Sequence, residues 1–434
     1  MTLAREMALE SEYVMGTFAR KPVEFVEGHG MTLIDDAGNE YLDFLSGIGV
    51  CSLGHCHPSI VQAVSDQVAK LIHVSNYYYI EHRGEVAQLL SNMLNAYVDE
   101  PSPETWKTFF ANSGAEANEC AIKLARLYAR RRTEAAGKDA ELAPRLIVTL
   151  AKSFHGRTLA TLAATAQPAK QEAFQPLPAG FTATPINDVE ALERLFETQG
   201  DRICAVMIEC IQGESGVHPC TEEFVGAIRR LTEEHGALMI CDEVQSGIFR
   251  TGLPYGFQNF GVLPDIVTMA KGIASGVVAG ACAAKSSIAA AFAPGDHGTT
   301  FGGSNIAMAA AHVTLSTLLA PGMGAQIESV GAYMRERLAR LPHVQEVRGF
   351  GLMNGIDLTH EAPSAPDVVA AGLEAGLVLN ATGPRYAAFP APAHLHGSRR
   401  GRAGSEAGAV AVKRHHIEPS SSDPCTKSLG RSCI

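Results

Sequence analysis

Leu238-Met-Ile-Cys-Asp-Glu-Val-Gln245 and Asp265-Ile-Val-Thr-Met-Ala-Lys-Gly272 are each an apolar, strand-like run closing on one functional group, Asp242 in the first and Lys271 in the second. The two groups stand 29 residues apart in the chain. That is about the length of one strand–crossover–strand unit, so both fall at one edge of a parallel sheet. A carboxylate and an amine placed together in this way fit two roles. They meet what pyridoxal phosphate requires of a protein, a lysine to attach its aldehyde and an acid to hold its pyridine nitrogen protonated. They equally fit a buried salt bridge, since an aspartate ending a strand is common in α/β proteins. The pair alone leaves both open.

Composition sets the outer bounds. A chain of 434 residues with 46% hydrophobic content is long enough for a large core and two domains. Lysine and arginine number 35 against 46 acids, a formal charge of −11. Outside the last fifty residues no basic stripe is interleaved with aromatics, so nucleic acid is not an expected partner. Ten cysteines without a Cys-x-x-Cys pair argue against a disulfide framework or a structural zinc. His55 and His57, next to Pro58, lack a third ligand nearby in sequence and read as structural. The N-terminus is too polar for a signal peptide and no apolar run approaches a membrane span, so a cytoplasmic protein without membrane contact is expected.

Hydrophobic periodicity predicts an alternating α/β core. Residues 30–44 read as a hairpin turning at Asp36-Ala-Gly38. Pro58 opens a helix through about His73, with Ile60, Val61, Val64, Val68 and Leu71 as its apolar face. Strands are expected at 105–112, 145–150, 203–209, 237–242, 266–269 and 277–283, with helices between several of them. Such alternation indicates a mainly parallel sheet flanked by helices. From Arg385 onward eight lysines and arginines face only three acids and apolar periodicity is lost, so residues 385–434 are expected to be a disordered tail.

Several motifs fall at strand ends. Ser113-Gly-Ala-Glu116 fits a capping box, with the backbone amides of Gly114 and Ala115 turned outward at the positive end of a helix, where a phosphate can bind; an ordinary helix start has the same pattern. Gly298-Thr-Thr-Phe-Gly-Gly303 is a second phosphate candidate, or simply a flexible loop. Phe154 could stack on a flat cofactor, and Arg157 could grip a carboxylate or be a solvated turn residue. Glu209 and Glu214 follow another strand, where surface acids are the ordinary outcome.

The order of these motifs is more telling than any one of them. Gly54-His-Cys-His-Pro58, Asn112-Ser-Gly-Ala-Glu-Ala-Asn118, Phe154-His-Gly-Arg-Thr158, Glu209 with Glu214, Asp242-Glu-Val-Gln245 and Lys271-Gly272 succeed one another as in class III aminotransferases, fold-type I pyridoxal-phosphate enzymes. The resemblance spans about residues 11–384. It implies a large cofactor-binding domain at 51–320 and a small domain built from 1–50 and 321–384. It further implies that Lys271 carries the cofactor and moves the reaction's proton, that Asp242 pairs with the pyridine nitrogen, and that Gln245 reaches the ring hydroxyl. Phe154 and Val244 would flank the ring, and Gly114 and Ala115 would hold the phosphate. Thr300 would arrive from a partner subunit, making a homodimer. Arg157, Glu209 and Glu214 would meet the substrate, an amino donor or a 2-oxo acid. Within the class, residues 13–20 and 45–50 resemble the branch acting on N-acetylornithine with 2-oxoglutarate, in arginine biosynthesis. Relatives acting on succinylornithine, ornithine, acetyl-lysine or 4-aminobutyrate share nearly the same constellation, and ornithine-specific ones tend to carry tyrosine at about Ile48.

Two departures stand out. Phe18 occupies a position where relatives often have tyrosine. After Asn380-Ala-Thr-Gly-Pro384 the family continues with a segment like Thr-Leu-Arg-Phe-Leu-Pro-Pro-Leu, whereas this chain reads Tyr386-Ala-Ala-Phe-Pro-Ala-Pro-Ala-His-Leu-His-Gly-Ser398. Codons exist that encode both runs in frames one base apart, which suggests a frameshift just after Arg385, the loss of a family arginine, and an alternative outcome in which the chain is a non-catalytic remnant.

Overall fold

The computed structural model describes residues 2–390. Its centre is a seven-stranded sheet in the order Trp106–Ala111, Gly280–Lys285, Ile266–Met269, Leu238–Asp242, Ile203–Ile208, Leu146–Leu150, Phe181–Thr184. The four innermost-running strands 146–150, 203–208, 238–242 and 266–269 are buried along their whole length, which is why they read as continuous apolar runs rather than alternating ones. Side chains still alternate between faces. Met239 and Cys241 pack with Phe196, Phe224 and Ile228, while Leu238 and Ile240 pack with Ala121, Ile122 and Ala125. Each fully buried phenylalanine or isoleucine contributes about 1.5–3 kcal/mol by leaving water.

Pairing is parallel except at one strand. Gly280–Lys285 runs antiparallel to both its neighbours. Only residues 270–279 join it to the strand before it, too short a link for the crossover that a parallel partner would need. Asp242 pairs with Thr268 across the parallel ladder, so the strand ends bearing Asp242 and Lys271 lie side by side, as their spacing predicts.

Two smaller sheets flank this core. Strands 25–29, 32–35 and 40–43 pair with 377–378, and strands 344–350, 353–358, 386–390 and 380–381 form the other. Arg348 ties the latter to the core: its guanidinium donates to the Gly216 and Val217 carbonyls at 2.8 Å and to Asp357. No single helix among the described residues is long and apolar enough to cross a membrane, and the eight described cysteines are free.

Two expectations need correction. Tyr386–Pro390, assigned above to a disordered tail, forms a strand hydrogen-bonded to Met353–Leu358 with Ala387 and Ala388 buried. The ladder needs only extended backbone and small side chains there, and Tyr386-Ala-Ala supplies both; residues 391–434 of the expected tail lie outside the described residues. The helix Pro58–Lys70 ends at Leu71, whose backbone is extended, and buries Ile60 but leaves Val61, Val68 and Leu71 over 40% exposed. Part of its apolar face therefore finds no cover within one chain.

Candidate active site

The site is assembled at the ends of the central strands. Asp242 is buried, and its Oδ2 accepts hydrogen bonds from Asn118 Nδ2 and His155 Nδ1, both at 2.8 Å, while Oδ1 accepts from the Val244 amide at 3.0 Å. Asn118 is itself fixed, donating to the His155 carbonyl at 2.7 Å and accepting from Thr268 Oγ1 at 2.6 Å. Burial opposes a charged His155, but its bond to Asp242 and the negative charges of Asp242 and Glu209 outweigh that and raise its pKa. The carboxylate is thus held and aimed by groups behind it.

Lys271 follows the neighbouring strand with φ at +44°, in the left-handed region. Burial lowers the pKa of its amine, against the pull of Glu214, Asp242 and Glu209. Among the described residues it forms no ion pair or hydrogen bond, and the only ion pair of Asp242 is with His155. The salt-bridge alternative for the Asp242–Lys271 pair is therefore not what the chain builds.

Gly114 and Ala115 open the long helix Gly114–Ala135. Ser113 Oγ caps it by accepting from the Glu116 amide at 3.2 Å, as expected. The Glu116 carboxylate, however, reaches back to the Asn112 amide at 2.6 Å rather than closing a reciprocal box on Ser113. A Cβ at Gly114 would sit 2.8 Å from both Val244 methyl carbons, so only glycine lets the helix start approach the segment just beyond Asp242 so closely. Gly156, with φ at +138°, performs the same service for the turn Phe154–Arg157: a Cβ there would lie 2.9 Å from the Ala115 Cβ.

Phe154 presents its ring to two cations, the Arg157 guanidinium 5.7 Å and Lys170 Nζ 5.2 Å from its centroid. Arg157 is exposed and makes no ion pair or hydrogen bond among the described residues. Glu209 does not stand open to a substrate. It is buried, accepts from the Phe154 amide at 2.8 Å, and burial raises its pKa. It holds the Phe154 turn, and its burial overturns the ordinary reading of a surface acid at that place. Glu214 is half-buried, 3.4 Å from Gln245 Nε2, and the two line a cavity with Ile48, Asn380 and Thr382. Thr300 is exposed. The adjacent Thr299 instead contacts Asn112 Nδ2 through its hydroxyl at 3.3 Å.

The donor set fits pyridoxal phosphate on its chemistry. A half-buried amine without a hydrogen-bond partner, a buried carboxylate held by three donors, and a helix N-terminus opened by glycine lie at the ends of neighbouring strands. His155, Asn118 and Thr268 were not singled out by sequence reasoning. All three lie inside the quoted stretches, and what they do emerges only when three separate segments are brought together.

Comparison with known proteins agrees. The family model described as aminotransferase class-III matches residues 17–395. An acetylornithine aminotransferase from Caldanaerobacter subterraneus subsp. tengcongensis is 44% identical over 88% of this chain and 93% of its own. The crystal structure of acetylornithine aminotransferase from Elizabethkingia anophelis superposes with a TM-score of 0.77 at 32% identity, covering 91% of this chain and 95% of that one. An ornithine aminotransferase from Toxoplasma gondii, whose active site holds PLP at partial occupancy, superposes at 0.82 with 29% identity over 91% of this chain and 90% of its own.

Proposed function

We propose, from the premise that this chain belongs to the class III aminotransferases, that it moves the δ-amino group of N2-acetyl-L-ornithine to 2-oxoglutarate, giving N-acetyl-L-glutamate 5-semialdehyde and L-glutamate. The enzyme is a pyridoxal-phosphate-dependent transaminase. When bound, that cofactor supplies an aldehyde for the amino group and a ring that takes up the electron pair left as a C–H bond beside the amine breaks.

The chain's own residues do the rest. Asp242, held by His155 and Asn118, keeps a ring nitrogen protonated. Lys271 would attach the cofactor and would accept and return the substrate proton at Nζ, which its lowered pKa favours. Gly114 and Ala115 would bind the phosphate through backbone amides. Phe154 and Val244 would flank the ring, and Gln245 would reach its hydroxyl. Arg157 would hold the α-carboxylate common to acetylornithine and glutamate. The observation that carries the reading is Lys271, half-buried and without a hydrogen bond or ion pair among the described residues, following the strand next to that of an Asp242 already held by other groups.

For the donor, support comes from the relatives' names and from Ile48, which lines the cavity beside Glu214 with an apolar side chain rather than a phenol that could bind a free ammonium group. A homodimer is supported by the uncovered Val61, Val68 and Leu71, joined by Tyr77, Tyr79 and Phe301, all exposed in a single chain; the partner subunit's Thr300 would complete each site. A cytoplasmic enzyme of arginine biosynthesis follows from the same reading. A second reading attends the C-terminal stretch. The strand Tyr386–Pro390 offers no arginine to Glu214, so a frameshift after Arg385 would impair the glutamate half-reaction.

The experiment is a half-reaction assay on purified, cofactor-loaded protein with acetylornithine, ornithine, succinylornithine, acetyl-lysine and 4-aminobutyrate. Preference for acetylornithine is expected, and faster turnover of any other donor overturns the substrate. Borohydride trapping of the cofactor on a lysine other than Lys271 overturns the site.

A further inference from the structure

His82, Glu85 and His312 lie outside the site described above, on two helices that meet beside a surface cleft. His82 is the residue before the helix Arg83–Asn95, with φ at +62°, and Glu85 lies one turn on. His312 projects from the buried helix Asn305–Leu318. His82 Nδ1 is 2.7 Å from Glu85 Oε2, and His312 Nε2 is 3.8 Å from the same oxygen. The two imidazoles stack with centroids 4.6 Å apart and planes 16° from parallel. An ordinary ion pair between residues three apart explains the first contact only. It does not explain why a second imidazole from a distant helix turns toward the same oxygen.

We propose that these three side chains form a binding site for a divalent transition cation of the zinc class. Two imidazoles and one carboxylate are a donor set suited to zinc, nickel or copper rather than to magnesium or calcium. All three donor atoms lie within 4.8 Å of one another. Ligands about 2.0–2.2 Å from a tetrahedral zinc stand about 3.3–3.5 Å apart, and the two contacts to Glu85 bracket that separation. Small rotations of these partly exposed side chains bring the set into register. A cleft of about 210 Å³, lined by Asp66, Lys70, Glu81 and the two histidines, leaves room for water at the fourth position. Among the described residues no other group of three histidine, cysteine or acidic side chains gathers this closely.

Occupancy reaches the segment next to the active site. The ion joins the start of one helix to another that begins directly after the loop Thr299–Gly303. The same segment is already tied to that loop: Asn76 Nδ2 donates to the Thr299 and Gly302 carbonyls at 3.0 and 3.2 Å, and Arg83 Nη1 donates to Asn76 Oδ1 at 2.5 Å. A bound ion therefore stiffens the backbone that presents Thr300.

The test is calorimetric titration of the holoenzyme with zinc chloride, repeated with cobalt(II) and read by visible absorbance. The native chain is compared with His312→Ala, Glu85→Ala and His82→Gln. One ion per chain is expected, with affinity falling about tenfold or more in each variant while the cofactor absorbance stays unchanged. Equal affinity in native protein and His312→Ala, or no saturable binding to native protein, overturns the site. Because the three side chains are partly exposed, circular dichroism separates lost binding from lost folding, and a variant that misfolds leaves the other two to decide.

Discussion

His155 Nδ1 lies 2.8 Å from Asp242 Oδ2 where solvent does not reach either group. The carboxylate that sequence pairs with Lys271 is thus held from behind by an imidazole. His155 is a positioning residue, and His155→Phe should cost about 1–3 kcal/mol through the lost bond. Without that donor the Asp242 carboxylate is less firmly aimed. The cofactor absorbance band should then shift, and His155→Gln should restore part of the shift. A band that stays unchanged while activity falls would mean a packing role only.

Arg157 makes no ion pair or hydrogen bond among the described residues and is exposed above Phe154, the state expected of a clamp awaiting a carboxylate. Arg157→Ala should weaken both half-reactions by about 2–5 kcal/mol, the cost of leaving a charge unpaired, with the cofactor spectrum intact. Stopped-flow measurement of each half-reaction checks this, and loss confined to one excludes a shared clamp.

His55 is bonded through Nε2 to the buried Asp43 at 2.7 Å. That bond, with a contribution from Cys51, raises its pKa from 6.5 to about 10. The folded chain therefore binds more protons than the unfolded one across that window. The stabilisation is full below pH 6.5 and fades as pH climbs toward 10. Melting temperature should fall over this range in the native chain. His55→Gln should flatten the decline, and Asp43→Asn should destabilise at neutral pH by about 3 kcal/mol. Parallel profiles in native and His55→Gln protein would show that the pair is not the source.

If a one-base shift follows Arg385, the neighbouring reading frame of the gene should encode a family-like segment well past Ser398. Restoring it should raise melting temperature and glutamate turnover together, because an arginine would again face Glu214. Nucleotide sequence settles the first half. An adjacent frame that reaches stop codons within a few residues sinks the idea.

The strands of the central sheet were legible because burial on both faces leaves unbroken apolar runs, and Asp242 and Lys271 were legible because each ends such a run. What sequence could not supply was who holds Asp242. Asn118, His155 and Thr268 come from three separate segments, and only parallel registry brings them together. Glu209 misled for the mirror reason: an acid after a strand looks like a surface group or a ligand, yet here two backbone amides near Phe154 and Gly213 draw it inward. Tyr386–Pro390 misled because composition measures the whole tail, whereas a strand needs only five residues and a waiting edge.

Lys271 combines two unfavourable circumstances, a side chain with a Cβ at φ +44° and an amine partly withdrawn from water without a hydrogen-bond partner among the described residues. The first alone costs on the order of 1–3 kcal/mol. Fitness for chemistry and fitness for folding therefore pull in opposite directions at this one position. Lys271→Gly, inert as a catalyst, should melt at a higher temperature than the native chain when both are stripped of cofactor, and a lower one would show that the strain is relieved elsewhere. A lineage released from the need to transaminate would be expected to lose this lysine early, and to gain robustness by losing it.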